Sequence, residues 1–381
     1  MKIKDVELFQ VPPRWLFVKI TTESGISGWG EPVVEGKAAT VAAAVREYAE
    51  VIKGRSAEDI EDIWQMLYRT GFYRGGPILT SALSGIEQAL WDIKGKYHSM
   101  SVWQMLGGKV RDRIQVYRWI GGDHPRDTAN AAIEALSQGY TAVKMNGTDE
   151  LKWIDTYQKL DETAERVEAI RKAVPEMGIA VDFHGRVHKT MAKQLMKLLE
   201  PYRLMFVEEP VLCENEDEFL ELSRSINIPI ATGERNFTRW GFKNMLKRGG
   251  VDILQPDVSH AGGILETRKI AAMAEAFDVS IAPHCPLGPI ALAACMQVDF
   301  CSPNAFIQEQ SAGIHYNEGY DLLNYLKNKE IFIYKNGYCD LLTKPGLGVE
   351  IDEDYVRKMA LEGHNWHNPI WRDSDGCIAE W

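Results

Sequence analysis

The most constraining feature of this chain is a series of short apolar runs that recurs from residue 114 onwards. Successive runs begin about 25 to 37 residues apart, with helical periodicity between them. The runs are Ile114–Tyr117, Ala142–Met145, Ile179–Asp182, Met205–Glu208, Pro229–Thr232, Ile253–Gln255, Ser280–Pro283 and Ala305–Gln308. This alternation is typical of a (β/α)8 barrel, and a doubly wound open sheet is the competing α/β fold. Polar residues at nearly every strand's C-terminal end favour the barrel.

The residues before the repeat have a different pattern. Residues 1–35 are rich in β-forming side chains and turns, whereas residues 39–70 and 80–106 have helical periodicity. A small antiparallel sheet followed by helices is an α+β arrangement, so the chain is predicted to begin with a separate α+β domain.

The predicted domains follow from these changes of pattern. They are an N-terminal α+β capping domain, residues 1–115, a (β/α) barrel, residues 116–330, and a C-terminal segment, residues 331–381. Residues 331–351 are predicted to be β-rich and to pack back on the capping domain. The unit after the eighth strand is irregular, which predicts a poorly formed last helix.

The composition excludes several classes of protein. The 381 residues are 45% hydrophobic and 25% charged, with a net charge of −11. This balance is ordinary for a globular protein and disfavours a nucleic-acid-binding surface. The sequence has no apolar signal region at Met1 and no run of about 18 apolar residues, so a cytoplasmic protein without a membrane partner is expected. The six scattered cysteines are expected to be free thiols.

Acidic residues stand at the ends of three successive predicted strands. Glu208 lies 26 residues after Asp182, and Glu234 lies 26 residues after Glu208. In an extended strand, Asp182 and His184 would point to the same face. Three carboxylates at one barrel mouth repel one another unless a cation lies between them, and oxygen ligands favour Mg²⁺. An ion-pair network without a metal is the alternative.

Longer motifs around these residues resemble a known family. Asp182, Glu208-Glu209-Pro210 and Gly233-Glu234-Arg235 resemble the metal-binding signature of the enolase superfamily. Asp257 with Pro283-His284-Cys285 resembles the Asp–His dyad of its mandelate racemase subgroup. The resemblance implies a modified TIM barrel, (β/α)7β-like, under an α+β capping domain. It also implies one Mg²⁺ per subunit and a homo-oligomer.

The resemblance also implies a role for each site residue. Asp182, Glu208 and Glu234 would be the Mg²⁺ ligands. His184 would remove the proton next to the substrate carboxylate, and His284, oriented by Asp257, would protonate the departing hydroxyl. Glu309 would hydrogen-bond a substrate carboxylate oxygen, which requires that Glu309 be protonated.

Further residues are expected to bind the substrate. Many superfamily members have Lys-x-Lys on the second strand, whereas this chain has Lys144-Met145-Asn146, which disfavours a two-base racemase. Lys144 would help to hold the substrate carboxylate, and Asn146 would hydrogen-bond the substrate. The other expected contacts are Arg14, Trp15 and Tyr73 in capping-domain loops and His315 after the last strand.

Within the subgroup, motifs along essentially the whole chain resemble the D-galactonate dehydratases. They include residues 182–186, 255–263, 282–289 and 308–311. The implied activity is Mg²⁺-dependent dehydration of a small acid sugar, D-galactonate, to 2-dehydro-3-deoxy-D-galactonate. A dehydratase of another aldonate and a non-catalytic relative are the alternatives.

Overall fold

The computed structural model describes residues 1–121 and 127–381. The first part of the chain is an antiparallel sheet, in the order β1-β2-β3, with helices packed against it. Its elements are β1 (Ile3–Val11), β2 (Trp15–Thr22), β3 (Ser27–Gly30), α1 (Ala38–Ile52), α2 (Ile60–Arg69), α3 (Gly76–His98) and α4 (Val102–Met105). The predicted α+β capping domain is confirmed.

Helix α3 packs directly on strand β3 because glycines allow their backbones to touch. A Cβ atom at Gly30 would collide with the backbone carbonyl of Gly85, and one at Gly28 would collide with that of Ala89. Only glycine fits such a close approach. Helix α3 is therefore held firmly, and most of its residues are buried.

Short parallel strands and helices alternate in the middle of the chain. The strands are β4 (Arg113–Val116), β5 (Arg118–Trp119), β6 (Ala142–Asn146), β7 (Gly178–Asp182), β8 (Phe206–Glu208), β9 (Ile230–Thr232), β10 (Ile253–Leu254), β11 (Ser280–Ile281) and β12 (Ile307–Gln308). The helices are α5 (Thr128–Ser137), α6 (Tyr157–Ala173), α7 (Lys189–Leu199), α8 (Asp217–Ser225), α9 (Thr238–Arg248), α10 (Ile264–Glu275) and α11 (Pro289–Cys301).

These strands close into a barrel. Strands β5 to β11 are neighbours in one parallel sheet, and β12 pairs in parallel with β4, which leads directly into β5. A bridge between Ile281 and Ala305 joins β11 to the strand that ends in β12. The first predicted strand is therefore broken into β4 and β5, which together occupy one position in the barrel. The modified TIM barrel predicted from the sequence is confirmed.

A layer of buried side chains fills the barrel interior, with one residue from each strand position. The layer consists of Tyr117, Ala142, Ala180, Phe206, Ala231, Ile253, Ala282 and Ile307. The two aromatic rings meet edge to face with centroids 6.4 Å apart, and the alanines leave room for them. Side chains two residues further along each strand lie on the same face, so the layer forms a floor beneath the C-terminal mouth.

The chain after β12 has no α-helix before residue 353, although the structure describes all of residues 309–352. This part contains the 3-10 turns His315–Asn317, Leu322–Tyr325 and Lys329–Phe332 and the strand β13 (Tyr338–Asp340), and is followed by helix α12 (Glu353–Glu362). The prediction that residues 331–351 are β-rich is wrong outside β13. Part of this segment instead packs on the capping domain, since the Gly346 N–H donates to the Met100 carbonyl and the Leu347 N–H donates to Asp92 Oδ1. The exact domain boundaries stay predictions.

Buried carboxylates of the capping domain bind the first turns of two barrel helices. Glu31 accepts hydrogen bonds from the N–H groups of Gly288 and Ala291 at the start of α11 (2.7 and 2.9 Å). Glu87 accepts from Ile264 and Leu265 in α10 (2.7 and 2.9 Å). Because barrel helices begin at the C-terminal ends of the strands, these bonds place the capping domain over the barrel mouth.

Among the helices in residues 1–121 and 127–381, none has the length and apolar character needed to cross a membrane.

Candidate active site

Three neighbouring strands bring polar side chains into one row at the barrel mouth. In the parallel register Asn146 pairs with Asp182, and Asp182 pairs with Glu208. Register partners in a parallel sheet lie side by side on the same face. Glu234 follows the end of β9 by two residues and completes the group. The structure thus brings together the three predicted metal ligands.

The three carboxylates have oxygen atoms that the protein leaves without hydrogen bonds. Within the described part of the chain, no group hydrogen-bonds Asp182 Oδ2, Glu208 Oε1 or Glu234 Oε2, although all three are buried. One ligand atom from each carboxylate lies within 4.8 Å of the others. Burial raises the pKa of each carboxyl to about 7. Convergent oxygen donors of this kind fit a hard cation.

Glu209, the next residue after Glu208, has a different environment. Its carboxylate accepts hydrogen bonds from Arg235 Nε (2.9 Å) and from the Thr232 hydroxyl and the Gly233 N–H. Because both of its oxygens are bonded to the protein, Glu209 is not available as a ligand. The structure therefore distinguishes between two adjacent glutamates.

Lys144 lies beneath the carboxylate cluster. Its Nζ is 2.6 Å from Glu208 Oε2, 2.9 Å from Glu309 Oε1 and 3.6 Å from Asp182 Oδ2. Burial lowers the pKa of Lys144, but Glu208 and Glu309 outweigh it and raise the pKa well above the usual value. Lys144 is thus a fixed ammonium that offsets the negative charge. It is fully buried and bonded to protein carboxylates, so its predicted contact with a substrate carboxylate stays a prediction.

His184 is brought beside Asp182 by a turn. Strand β7 ends at Asp182, and His184 and Gly185 both have left-handed backbone conformations (φ 49° and 66°). The turn is fixed by a hydrogen bond from the His184 N–H to Asp182 Oδ1 (2.8 Å), and His184 Nε2 lies 3.3 Å from Asp182 Oδ2. The prediction that Asp182 and His184 lie side by side is correct. They are brought together by this turn, however, and not by an extended strand as predicted.

Positively charged side chains lie near the imidazole of His184, in addition to the Asp182 carboxylate. Arg186 Nη2 lies 3.1 Å from His184 Nδ1, and the Trp119 ring is stacked on the imidazole at 6.2 Å. Burial lowers the pKa of His184 well below its usual value, and Arg186 and Lys144 add to the effect. The ring is therefore neutral near pH 7, which is the state that a general base requires.

Anions surround the imidazole of His284. Its Nδ1 is 2.8 Å from Asp257 Oδ2, and its Nε2 is 3.5 Å from Glu234 Oε2. The Ser259 N–H donates to the other Asp257 oxygen (2.7 Å) and fixes the carboxylate. Burial lowers the pKa of His284, but Glu234, Glu309 and Asp257 outweigh it and raise the pKa well above its usual value. The ring is therefore an imidazolium, the state that a general acid requires.

Glu309 differs from the expectation of a protonated acid. One oxygen accepts hydrogen bonds from Trp119 Nε1 (2.8 Å) and Lys144, and the other accepts from the Cys285 N–H (2.8 Å). Although burial raises its pKa, Lys144 and His284 outweigh the burial and hold the pKa at about 2. Glu309 is therefore ionised, and it orients Trp119 and Lys144.

One cavity joins these groups to loops from the rest of the chain. Its lining includes Asn146, His184, Glu234, His284, Arg14 and His315, all of them predicted site residues. Two other predicted contacts lie elsewhere. Trp15 is fully buried in the capping-domain core, where it packs on Phe17 and Tyr325. Tyr73 is 89% exposed on a glycine-rich loop and borders a different cavity.

The same cavity contains residues that the sequence did not single out. They are Glu35, Trp119, Arg186, Pro286, Ile314, Tyr316 and Trp381. Arg186 and Trp119 could have been found, since Arg186 is two residues from His184 and Trp119 ends the first strand position of the barrel. No sequence motif marks Glu35 or Trp381 as a site residue, because they reach the site only through the tertiary fold.

Comparison with known sequence families agrees with the family resemblance of the sequence motifs. Residues 12–107 match the mandelate racemase/muconate lactonizing enzyme N-terminal domain, and residues 127–355 match the enolase C-terminal domain-like family. The chain belongs to the enolase superfamily. Within it, the chain is a member of the mandelate racemase/muconate lactonizing enzyme family, as the sequence motifs predicted.

Solved structures of other family members are similar over nearly the whole chain. A protein from Agrobacterium radiobacter, provisionally named a galactarate dehydratase and bound to sodium and L-malate, is 28% identical, with full coverage of both chains and a TM-score of 0.91. A provisionally named dehydratase from Zymomonas mobilis ZM4 is 31% identical (TM-score 0.86, covering 94% of this chain and 98% of that one). A provisionally named mandelate racemase/muconate lactonizing enzyme from Labrenzia alexandrii DFL-11 is 33% identical (TM-score 0.86, 94% and 100%).

Proposed function

We propose that this family member is a Mg²⁺-dependent dehydratase of acid sugars and that its substrate is D-galactonate, converted to 2-dehydro-3-deoxy-D-galactonate. The observation that carries the proposal is a pair of histidines in opposite charge states in the wall of one cavity. Burial and neighbouring cations lower the pKa of His184, whereas neighbouring anions outweigh burial and raise the pKa of His284. Elimination of water from a 2,3-dihydroxy acid needs one base and one acid.

Asp182, Glu208 and Glu234 would hold the Mg²⁺, because each offers a buried oxygen that receives no hydrogen bond from the described residues. When bound, Mg²⁺ would draw electron density from the substrate carboxylate and so make the neighbouring proton more acidic. Lys144 would remain beneath the carboxylates as a second positive charge. The role of Asn146 in hydrogen bonding the substrate is part of the proposal.

The two histidines would carry the proton transfers. The neutral imidazole of His184 takes the proton from the carbon next to the carboxylate. The bond between the next carbon and its hydroxyl then breaks, and His284 Nε2 supplies the proton with which the hydroxyl leaves as water. The enol that remains tautomerises to the 2-keto acid. Asp257 keeps the proton on the ring by accepting from Nδ1 (2.8 Å).

The far wall of the cavity favours an acid with one carboxylate. Arg14 is buried there, but it forms an ion pair with Glu35 and hydrogen-bonds the Pro286 carbonyl (3.1 Å). A neutral ion pair suits the hydroxyl-bearing end of an aldonate better than the second carboxylate of an aldarate such as galactarate, because Glu35 already offsets the positive charge of Arg14. This is the reason to prefer galactonate here.

A panel of acids tests the proposal. The purified protein with Mg²⁺ would be incubated with D-galactonate, D-gluconate, a pentonate and galactarate, and the 2-keto product would be measured. D-Galactonate should react fastest, and a chelator should abolish the reaction until Mg²⁺ is restored. If another acid is turned over faster, that acid and not D-galactonate is the substrate. Binding of acids without any turnover, unaffected by the chelator, would instead indicate a non-catalytic relative.

A further inference from the structure

Trp381 belongs to a C-terminal tail that crosses the barrel mouth. The tail, residues 364–381, follows helix α12. Most of its side chains are exposed, but Trp366, Trp371 and Trp381 are half-buried. These three indoles all turn towards residues of the candidate site, which is unusual for a polar tail on a protein surface.

The first part of the tail is fixed to the capping domain. His364 Nε2 lies 3.1 Å from the Trp15 carbonyl, and Gln10 Nε2 donates to the His364 carbonyl (2.8 Å). The Trp366 ring then packs edge to face on Tyr316, with centroids 5.3 Å apart, and the Arg14 guanidinium lies 5.4 Å from its centre. The tail thus reaches the cavity beside Arg14.

The second part of the tail is a small hairpin above the β6–α6 and β7–α7 loops. Asp373 N–H donates to the Cys377 carbonyl (2.9 Å), and Ala379 N–H donates to the Trp371 carbonyl (3.1 Å). The Arg186 guanidinium lies 4.6 Å from the Trp371 ring. Because Arg186 also contacts His184 Nδ1, the hairpin is connected to the proposed base through Arg186. The exposed ion pair of Asp375 with Lys152 (3.2 Å) is a weak outer attachment.

The end of the hairpin places Trp381 in the cavity wall. Its Nε1 donates to the Tyr316 hydroxyl (3.2 Å), and the two ring centroids are 6.1 Å apart. In addition to its charged groups, the cavity has an aromatic surface, to which Trp119, Tyr316 and Trp381 contribute. A wide aromatic face suits the C–H groups of a carbon chain, and its indole N–H is already used by Tyr316.

We propose that residues 364–381 form a lid over the candidate site and that Trp381 determines specificity by packing on the carbons of the acid beyond the two that react. This inference rests on the proposed dehydratase function. It adds that Trp381 in the tail, in addition to the capping-domain loops, distinguishes acids by the length of their carbon chain. Entry of a substrate requires the hairpin to lift, which breaks the contacts of Asp375 with Lys152, of Trp371 with Arg186 and of Trp381 with Tyr316.

Kinetics with acids of two lengths test the specificity role. Trp381→Ala should raise KM for the six-carbon acid at least about tenfold. It should leave KM for a four-carbon aldonate, which has the same reacting carbons, nearly unchanged. Trp381→Phe, which keeps an aromatic ring, should restore most of the affinity. Trp240→Ala is the matched control, because Trp240 stacks on Tyr68 in another part of the surface. An equal effect on both acids, or none, would overturn the role.

Chemical labelling tests the lid without relying on turnover. Diethyl pyrocarbonate modifies accessible histidines, and the tryptic peptide Ala173–Arg186 contains His184 as its only histidine. Labelling of this peptide should be several-fold faster in Trp371→Ala and Trp381→Ala than in the wild type or Trp240→Ala. Equal rates would show that no lid covers the site. If no acid is turned over by the wild type, the dehydratase proposal fails, and the labelling rates still decide the lid.

Discussion

The two sides of the cavity contain the same kind of side chain in opposite surroundings. On the side of β7, His184 is next to Arg186 and above Lys144. On the side of β10 and β11, His284 is next to Asp257 and Glu234. Burial lowers the pKa of both imidazoles, so burial alone cannot separate them. The sign of the neighbouring charges makes one ring a base and the other an acid.

This difference also explains why the neighbours are themselves fixed. The Asp257 carboxylate receives the Ser259 N–H, and Arg186 Nη1 reaches the Thr148 carbonyl (3.4 Å). If either charged side chain could move away from its histidine, the pKa of that histidine would change. The two sides of the mouth are therefore arranged to keep opposite protonation states a short distance apart.

The largest expected effect separates the two histidines by reaction step. His184→Asn should lower both exchange of the proton next to the carboxylate and dehydration by about 10²- to 10⁴-fold, because the base is lost. His284→Asn should lower dehydration by a similar factor but retain exchange. Exchange would be followed by NMR in D₂O, and dehydration by 2-keto acid formation.

Its control is His98→Asn, in an exposed histidine of the capping domain that contacts Glu58, which should change neither rate. If His284→Asn abolishes exchange while His184→Asn retains it, the base and the acid have exchanged places, and the assignment drawn from their surroundings is wrong.

A smaller effect is expected when the negative charge of Asp257, next to the general acid His284, is removed. With Mg²⁺ bound, so that the three carboxylates stay ionised, activity should be lost at low pH as His184 becomes protonated, below the usual histidine pKa, and at high pH as His284 loses its proton, above it. Asp257→Asn should lower the pKa of His284, so the high-pH limb of kcat/KM moves towards neutral pH while the low-pH limb stays. A shift of the low-pH limb alone would contradict this.

The sequence predicted the barrel and the charged centre because both repeat along the chain. Strands such as Ala142–Asn146 and Gly178–Asp182 were located to within a residue by their apolar runs. Asp182, Glu208 and Glu234 follow strand ends at equal spacing, so a parallel barrel must bring them to one mouth. The ionised state of Glu309 could not be read in the same way, because it depends on Lys144 and on the Trp119 N–H.

The cavity walls were predicted less well because loop positions depend on distant contacts. Arg14 and Trp15 are adjacent in a capping-domain loop, yet Arg14 lines the cavity and Trp15 packs against Tyr325. Tyr73 resembles a lid residue in sequence but points to solvent. Trp381 is far from every motif along the chain, and only the folded tail brings it to the cavity that His184 also lines. Side chains on loops are selected by tertiary packing, which a local pattern does not encode.

The smallest effect is expected from removing the positive charge of Arg186, next to the general base His184. Arg186→Gln keeps a polar side chain with an N–H donor but removes the positive charge, so the pKa of His184 should rise towards its usual value. The low-pH limb of kcat/KM then moves to higher pH, while the high-pH limb, which reports His284, stays. Lys193→Gln is the matched control, since Lys193 forms an exposed ion pair with Glu221 outside the cavity. If the low-pH limb of Arg186→Gln matches that of the wild type, the charge of Arg186 does not keep His184 neutral, and burial alone accounts for the base.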